Sequence, residues 1–334
     1  MKRIAVKELS RKQQIILLIV IVCITLITSW WQQNHPLQQI QQPLQVYDEM
    51  QVHFIDVGQG DATLFVQNEH VMLFDTGPRN SAEELIEYIQ NLGIEYIDVL
   101  VLTHPHDDHL GGASFVLDNF EVGIVYCPDI SHIKKIKEYK WYQNLINSIK
   151  QVNSQRNQGL PEEEWTDIQQ EPRHDNGEFA RFNIGDATVE FLAPFEDRYS
   201  DENDYSICAK IAFGEIDMIL TGDATDAVEK VLIQEGYDLD CEIFHASHHG
   251  SKTGNSKEFL DAMTPENIVI SCGMGNIHDH PSESVVELYK KMKIPVYRTD
   301  ESGTIVMTTN GQQYVFDKTS GTYTSGKAYN EKGE

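Results

Sequence analysis

The chain has 334 residues, 40% of them hydrophobic, enough for one large domain core or two ordinary ones. Its formal net charge of -26 excludes binding of nucleic acid through a broad basic face. It leaves room for a nuclease whose bound cations supply positive charge locally.

Lys2, Arg3, Lys7, Arg11 and Lys12 precede an apolar run, IILLIVIVCITLITSWW, over residues 15–31. A basic flank before an apolar stretch orients the flank to the cytoplasm, and the run lies near the lower length limit for a membrane span. No small-x-small cleavage site follows, and Trp30 and Trp31 suit a membrane interface. An uncleaved single-pass anchor is therefore preferred to a cleaved signal peptide, which would release the rest as a secreted protein. Cys23 lacks the small preceding residue of a lipoprotein site. The expected organisation is a cytoplasmic flank and transmembrane helix at 1–31 and a glutamine-rich linker at 32–50. An extracellular domain at 51–317 and a polar flexible tail at 318–334 follow.

Within the domain, VHFIDV, ATLFV and VMLFD read as short strands. Ser81 and Glu84 form a capping-box pattern, and Ala82, Leu85, Ile86, Ile89 and Leu92 mark one face of a helix that Gly93 ends. IDVLVL reads as a buried strand. Residues 130–180 break the alternation: HIKKIKEYKWYQNLINSIKQVN predicts a helix and the polar remainder a loop, together an insertion beside the site. Strands resume with ATVEFL, YSICAKIAF and DMILTGD, then a helix at 227–234, strand CEIF, helix SKEFLDAM and strand NIVISCG. A helix carrying Val285, Leu288 and Met292 on one face follows, and PVYRTD, GTIVMTT and QYVFD close the core. Two successive sets of strands with helices predict an α/β architecture of two packed sheets with outer helices. Cys127, Cys208, Cys241 and Cys272 lie in or beside apolar runs with no CxxC pair, which predicts buried free thiols rather than a thiolate metal site, redox motif or disulfide.

The stretch LTHPHDDHLGG (102–112) crowds three histidines and two aspartates into six positions after a buried strand. Burying such groups unpartnered costs several kcal/mol, roughly 2–7 for even one neutral polar group, so one or two bound metal ions would account for the crowding. His104 and His106 are two apart in an extended turn and point the same way. Asp108 and His109 sit where the next helix would begin, so one turn offers two ligand pairs to two neighbouring ions.

Further segments, FIDVGQGDATLF (54–65), LFDTG (73–77), ILTGDA (219–224), HHGSKT (248–253) and VYRTDESGTI (296–305), join this motif in order. Together they resemble the metallo-β-lactamase fold hydrolases, in particular the extracytoplasmic domain of ComEC-type competence proteins, over about residues 51–310. The resemblance implies a four-layer αββα sandwich, two divalent metal ions and phosphodiester hydrolysis by a metal-activated hydroxide. It implies that His104 and His106 bind one ion, that Asp108 and His109 bind the other, that Asp223 bridges both, and that His248 completes the second. Many superfamily members place a third histidine on the first ion in a Gly-His motif. Here that interval holds only His132 and His174, neither in such a context, and an Asn/Ser segment around Asn203 and Ser206 stands instead. With fewer imidazoles, Mn²⁺ becomes credible beside Zn²⁺.

Asp61 and Asp75 are candidates to orient ligand imidazoles from behind, with a turn role as the alternative. Asp108, His249 and His280 are the candidate catalytic residues; His249 or His280 would protonate the leaving group or hold a phosphoryl oxygen. Ser251, Lys252 and Thr253 could donate to a phosphate, with a helix N-cap as the competing role of Ser251. His35, His53, His70 and His278 read as ordinary residues. Three functions follow: an exported nuclease acting on DNA, another cell-wall phosphodiesterase such as a phosphorylcholine esterase, or a non-enzymatic binding module with a decayed site. HHGSKT favours the first, the acidity favours the second, and the complete ligand set argues against the third. A β-lactamase is open on fold alone, but fold does not fix function and the Gly-His motif is missing.

Overall fold

A computed structural model of the protein describes residues 48–161, 166–174 and 177–332. The basic flank, the apolar run at 15–31 and the linker up to residue 47 lie outside the described residues. Among those described, no helix is long and apolar enough to cross a membrane.

The first sheet begins with an antiparallel meander, β1 (Met50–Phe54), β2 (Thr63–Gln67) and β3 (His70–Phe74). Parallel strands β4 (Tyr96–Val101), β5 (Glu121–Tyr126) and β6 (Gln169–Gln170) extend it. The second sheet holds β7 (Arg181–Ile184), β8 (Ala187–Ala193), β9 (Cys208–Phe213) and β10 (Ile216–Leu220), all antiparallel. It continues through parallel β11 (Ile243–His245), β12 (Asn267–Ile270) and β13 (Val296–Arg298). The strands do not fall into two purely successive sets. The last two, β14 (Ile305–Thr309) and β15 (Tyr314–Phe316), return to the first sheet, where β14 pairs antiparallel with β1 from Met50↔Thr309 to Phe54↔Ile305.

The central strands are apolar on both faces because both faces are covered. Phe65, Met72, Phe74, Val99 and Val101 point between the sheets and meet Phe191, Ile211, Phe213, Met218 and Val269 of the second. Their neighbours Leu64, Leu73 and Leu100 point the other way. There they meet α1 (Ala82–Asn91), α3 (Ala113–Asn119) and α4 (Lys140–Arg156), α2 (Asp107–Leu110) being a single turn between. Ile219, Phe244, Ile268 and Ile270 of the second sheet likewise face α5 (Asp226–Glu235), α6 (Lys257–Met263) and α7 (Glu283–Met292). The period-two alternation thus builds the expected four layers, helix–sheet–sheet–helix.

Several local expectations change. In α1, Ala82, Leu85, Ile86 and Ile89 are buried, but Leu92 lies past the helix end and is 43% exposed. The capping box does not form, since Ser81 Oγ donates to the Pro78 carbonyl instead. In α7 the buried face is Val285, Val286 and Tyr289, with Leu288 and Met292 only partly buried. The segment 130–180 is built into the fold rather than hung on it: α4 buries Trp141, Tyr142, Leu145 and Ile149, and β6 pairs with β5. All four domain cysteines are buried and free, as expected.

The polar tail from 318 is not flexible through 332. It packs because an arginine at the end of β13 requires it. Arg298 is fully buried, with Nε and Nη2 donating to Asp300 at 3.0 and 2.7 Å and Nη1 donating to the carbonyls of Thr322 and Thr324. Glu301, in the turn α8 (Thr299–Ser302), accepts from Thr322 N and Tyr329 Oη, the latter in α9 (Gly326–Lys332). Removing one partner of a buried ion pair strands the others. Arg298→Met is therefore expected to lower unfolding free energy by roughly 3–5 kcal/mol and to expose residues 318–332 to limited proteolysis. An unchanged urea midpoint with a protected tail would contradict this account of the packing.

Candidate metal centre

Parallel sheets gather functional groups at the carboxyl ends of their strands. Asp75 and Thr76 follow β3; Thr103, His104, His106 and His109 follow β4; Asp223 follows β10; and His245, Ser247, His248 and His249 end or follow β11. Because the two sheets stack face to face, these ends converge on one rim. Asp61, between β1 and β2, joins them from the side, its N–H donating to the Asp108 carbonyl at 3.1 Å. Gly60 permits this approach, since a Cβ there would lie 2.3 Å from that same carbonyl oxygen.

Two clusters form, and Asp223 belongs to both. His104, His106 and Asp223 bring ligand atoms within 4.8 Å of one another, as do Asp61, His109, Asp223 and His249. Asp223 Oδ2 lies 3.5 Å from His104 Nε2 and 3.4 Å from His248 Nε2, whereas Oδ1 lies 3.1 Å from His109 Nε2 and 3.7 Å from His249 Nε2. Asp108 Oδ2 is 3.3 Å from His249 Nε2. Asp223 thus stands between the two clusters, with one oxygen toward His104 and His248 and the other toward His109 and His249.

The outer nitrogens are held. His104 Nδ1 meets Thr103 Oγ1 at 3.0 Å, His109 Nδ1 meets Asp75 Oδ2 at 2.7 Å, and His248 Nδ1 meets Thr253 Oγ1 at 3.0 Å. His249 Nδ1 meets the Ser271 carbonyl at 3.0 Å and stands 3.2 Å from Asp61 Oδ1. Such partners fix the tautomer and turn the other nitrogen to the centre. Asp75 also accepts from Thr103 N and Oγ1 at 2.8 and 2.7 Å. The Asp223 N–H donates to Ser206 Oγ at 3.0 Å, which gives the Asn/Ser segment a place behind the bridging residue.

His248 and His249 both stand beside Asp223. Both residues have left-handed backbones, at φ 50° and 55°, and their ring centroids lie 6.0 Å apart at 72°. His249 is 1% exposed and points inward to Asp108, His109 and Asp223, so it does not face a substrate. His248 keeps 20% of its side chain exposed at the mouth beside Asp223. Thr253 Oγ1 meets His248 Nδ1 and donates to Ser251 Oγ at 3.0 Å, so Thr253 is engaged behind His248. Ser251 is no N-cap; Ser256 caps α6 by accepting from Phe259 N. Lys252 is exposed, with no ion pair among the described residues. His280 closes one wall with its ring centroid 5.4 Å from that of His248, and His278 stacks behind it at 5.6 Å.

Sequence reasoning passed over His245 and Glu202. His245 is buried, stacks on Phe54, donates or accepts at Ser271 Oγ at 2.8 Å, and lies 3.8 Å from Asp61. Its position at the carboxyl end of a parallel strand was the available signal. Glu202 Oε2 lies 3.4 Å from His106 Nε2. A cavity of about 640 Å³ is lined by Asp129, Glu171, Glu196, Asp197, Arg173 and Tyr205, the last of these ending the turn that Glu202 opens.

The residues fit divalent ions. Asp223 Oδ1 and Asp61 Oδ1 are buried and accept no hydrogen bond despite imidazole nitrogens at 3.1 and 3.2 Å. Donor atoms aimed at shared space rather than at each other are what a cation site presents. Burial alone would lower the His109 pKa, but Asp223 and Asp75 outweigh it and hold it well above the usual value. For His249, Asp223 and Asp61 likewise outweigh burial. Burial would raise Asp108 and Asp223, but the surrounding imidazoles hold both carboxyls below the ordinary range. Burial, then His249, His248 and His278, push His280 down to about 3, so its ring is neutral at pH 7 and its buried Nδ1 has no partner.

The model of the Metallo-beta-lactamase superfamily matches residues 55–273, which contain every member of both clusters. The chain belongs to the metallo-β-lactamase superfamily. Within it, the chain is 28% identical over 276 residues to ComE operon protein 3 of Bacillus subtilis, covering 77% of this chain and 33% of that protein. It is 28% identical over 260 residues to competence protein ComA of Neisseria gonorrhoeae (77% and 32%) and 29% identical over 260 residues to recombination protein 2 of Haemophilus influenzae (76% and 28%). The chain thus spans about a third of the length of these ComEC-type relatives. Among solved structures, the metallo-β-lactamase fold protein YhfI from Bacillus subtilis aligns with a TM-score of 0.48 at 14% identity, over 78% of this chain and 100% of that one.

The raised pKa values of His109 and His249 mean that, without metal, both hold protons at neutral pH, and these must leave when a cation binds. Calorimetric titration with Zn²⁺ in buffers of different ionisation enthalpy is expected to show proton release at pH 7, with affinity falling as pH is lowered. Heats independent of buffer would count against it. Asp223→Ala is expected to weaken both binding events, His106→Ala only one; equal loss from both variants would remove the bridging role.

Proposed function

We propose that this superfamily hydrolase is a phosphodiesterase that uses two divalent ions, Zn²⁺ or Mn²⁺, with DNA as its substrate. The observation that carries the reading is the pair of imidazole–carboxylate clusters joined at Asp223, on a rim where His106, Asp108 and His248 are open to solvent. The competence and recombination names of the ComEC-type relatives support nucleic acid as the substrate class. His104, His106 and Asp223 would hold one ion, and Asp108, His109, Asp223 and His249 the other, with His248 at the mouth.

Two such ions, when bound, supply Lewis acidity to a phosphoryl oxygen and a nucleophile at neutral pH. The chain's own residues do the rest. Asp75, Thr103 and Thr253 keep three imidazoles in one tautomer each. Buried and neutral, His280 has no proton in excess to deliver to a departing alkoxide; its N–H instead donates to a phosphoryl oxygen. The exposed Lys252 ammonium meets the anionic chain beyond the scissile bond. In hydrolysis the oxygen of water joins phosphorus, the bond from phosphorus to the leaving oxygen breaks, and that oxygen takes up a proton from solvent.

One observation favours a second reading. The cavity that Tyr205 borders carries four carboxylates, Asp129, Glu171, Glu196 and Asp197, against the guanidiniums of Arg173 and Arg198. That balance suits a cationic leaving group, as in a phosphorylcholine ester of the cell wall, better than a second phosphate. Two assays on metal-loaded protein separate the readings: hydrolysis of single- and double-stranded DNA, and hydrolysis of a phosphocholine ester. DNA cleavage that is lost on chelation and in Asp223→Asn is expected. Intact DNA with rapid phosphocholine release would move the assignment to the second reading.

His280→Ala is expected to retain both ions and to slow bis-p-nitrophenyl phosphate and DNA hydrolysis alike, by about a hundredfold, the usual cost of one lost oxygen-binding donor. A loss confined to DNA, whose leaving group needs a proton, would restore the leaving-group acid role to this residue.

The proposal also sets the domain outside the cell membrane, attached through residues 15–31, on the strength of the basic flank before that run. Protease added to wall-less intact cells is expected to digest the domain. Protection, or release into the medium with a new N-terminus near Gln32, would contradict this topology.

A further inference from the structure

We infer that Glu202 is a positioning residue that sets the tautomer of His106 and thereby the strength of the first metal site, an inference that rests on the two-ion reading above. Four imidazoles at the centre turn Nε2 inward and give Nδ1 to a partner: His104 to Thr103, His109 to Asp75, His248 to Thr253 and His249 to Ser271. His106 is turned the other way. Its Nδ1 lies 3.0 Å from His104 Nε2, inside the cluster, and its Nε2 points outward. Glu202 Oε2 stands 3.4 Å from that outward nitrogen.

A neutral imidazole carries one proton, on either nitrogen. A proton on Nδ1 would occupy the lone pair that faces His104 and Asp223, and no cation could bind there. A proton on Nε2 leaves that lone pair free. A carboxylate facing Nε2 attracts an N–H and repels a lone pair, so it selects the second form and makes the inner nitrogen a stronger donor. The side chains of His106 and Glu202 are 34% and 30% exposed, and a pair so exposed adds little to fold stability. Its consequence falls on the site.

The placement of Glu202 is built. It opens a 3₁₀ turn, Glu202–Tyr205, capped by Asp201, whose carboxylate accepts from Asn203 N at 3.0 Å. Tyr205, at the end of the turn, is buried and fixed by its hydroxyl, which meets His132 Nε2 at 2.8 Å and accepts from Tyr199 N at 3.0 Å. The next residue, Ser206, holds the Asp223 N–H. One short turn therefore addresses two ligands of the first cluster, Asp223 through Ser206 and His106 through Glu202. It does so in the interval where a third histidine is missing.

The test uses the whole protein and the metals alone. Wild type, Glu202→Ala and Glu202→Gln are titrated with Mn²⁺ and with Zn²⁺ by calorimetry. Long-range ¹H–¹⁵N spectra of the metal-free proteins report the His106 tautomer and show that each variant is folded. Wild type is expected to bind two ions and to carry the His106 proton on Nε2. Glu202→Ala should weaken one binding event by about 10- to 100-fold, leave the other unchanged, and give a mixture of tautomers. Glu202→Gln, which keeps an accepting oxygen without the charge, should lie between. Wild-type affinities and an unchanged tautomer in Glu202→Ala overturn the inference while leaving two-ion binding intact. A wild type that binds fewer than two ions overturns the reading beneath it instead.

Discussion

The shared carboxylate of Asp223 is the constraint around which the domain is arranged. Its oxygens divide between two sets of imidazoles, and each set draws one ring from a strand of either sheet. His104, His106 and His109 leave β4, while His248 and His249 leave β11. They can meet at one aspartate only if both strands end on the same rim, and the large apolar residues between the sheets keep those ends in register. Phe65, Phe74, Phe191 and Phe213 are therefore part of the site's geometry although none lies in it. Close packing transmits such positions because it leaves little room for adjustment.

Around Asp223 the centre is graded from buried to open. Asp61, His104, His109 and His249 are almost wholly buried, and the three imidazoles are bonded from behind. His106, Asp108 and His248 retain exposure at the mouth. The buried set can be fixed rigidly because packing and hydrogen bonds over-determine each ring. In the open set, Glu202 faces the outward nitrogen of His106 and Thr253 holds the outer nitrogen of His248. The left-handed backbone at His248 and His249 costs on the order of 1–3 kcal/mol per residue. Gly250 follows at φ 78°, where a Cβ would lie 2.6 Å from the Pro281 ring.

Much of this was legible in the residues. The HPHDDH spacing placed two ligand pairs on one turn, and the two-sided apolar strands required helices on both faces. Asp75 lies against His109 and Asp223 between the two clusters. What local pattern could not supply was direction. Nothing in the pair HHG says which ring turns inward; that follows from two positive φ angles set by tertiary contacts. The tail from 318 reads as disordered because it is polar, yet its backbone carbonyls, not its side chains, satisfy Arg298. The β14–β15 hairpin looked like a continuation of the second sheet, since short apolar strands carry no label for their partner. Leu92 fits the helical period of α1 but falls one residue beyond the last turn.

That hairpin has a kinetic corollary. Met50 pairs with Thr309, so the first sheet closes only when strands at opposite ends of the domain meet. Pairings across such a separation form late, because the loop must be closed before any contact rewards it. Every imidazole and carboxylate of the centre lies inside that loop, between residues 61 and 249. A partly folded chain thus presents the whole ligand set, HPHDDH foremost, before the sheets that align it exist. Free divalent metal can chelate such a chain in non-native combinations, and those complexes must dissociate before the sandwich closes. Refolding should accordingly run fastest when a chelator is present and metal is supplied only after the strands have paired.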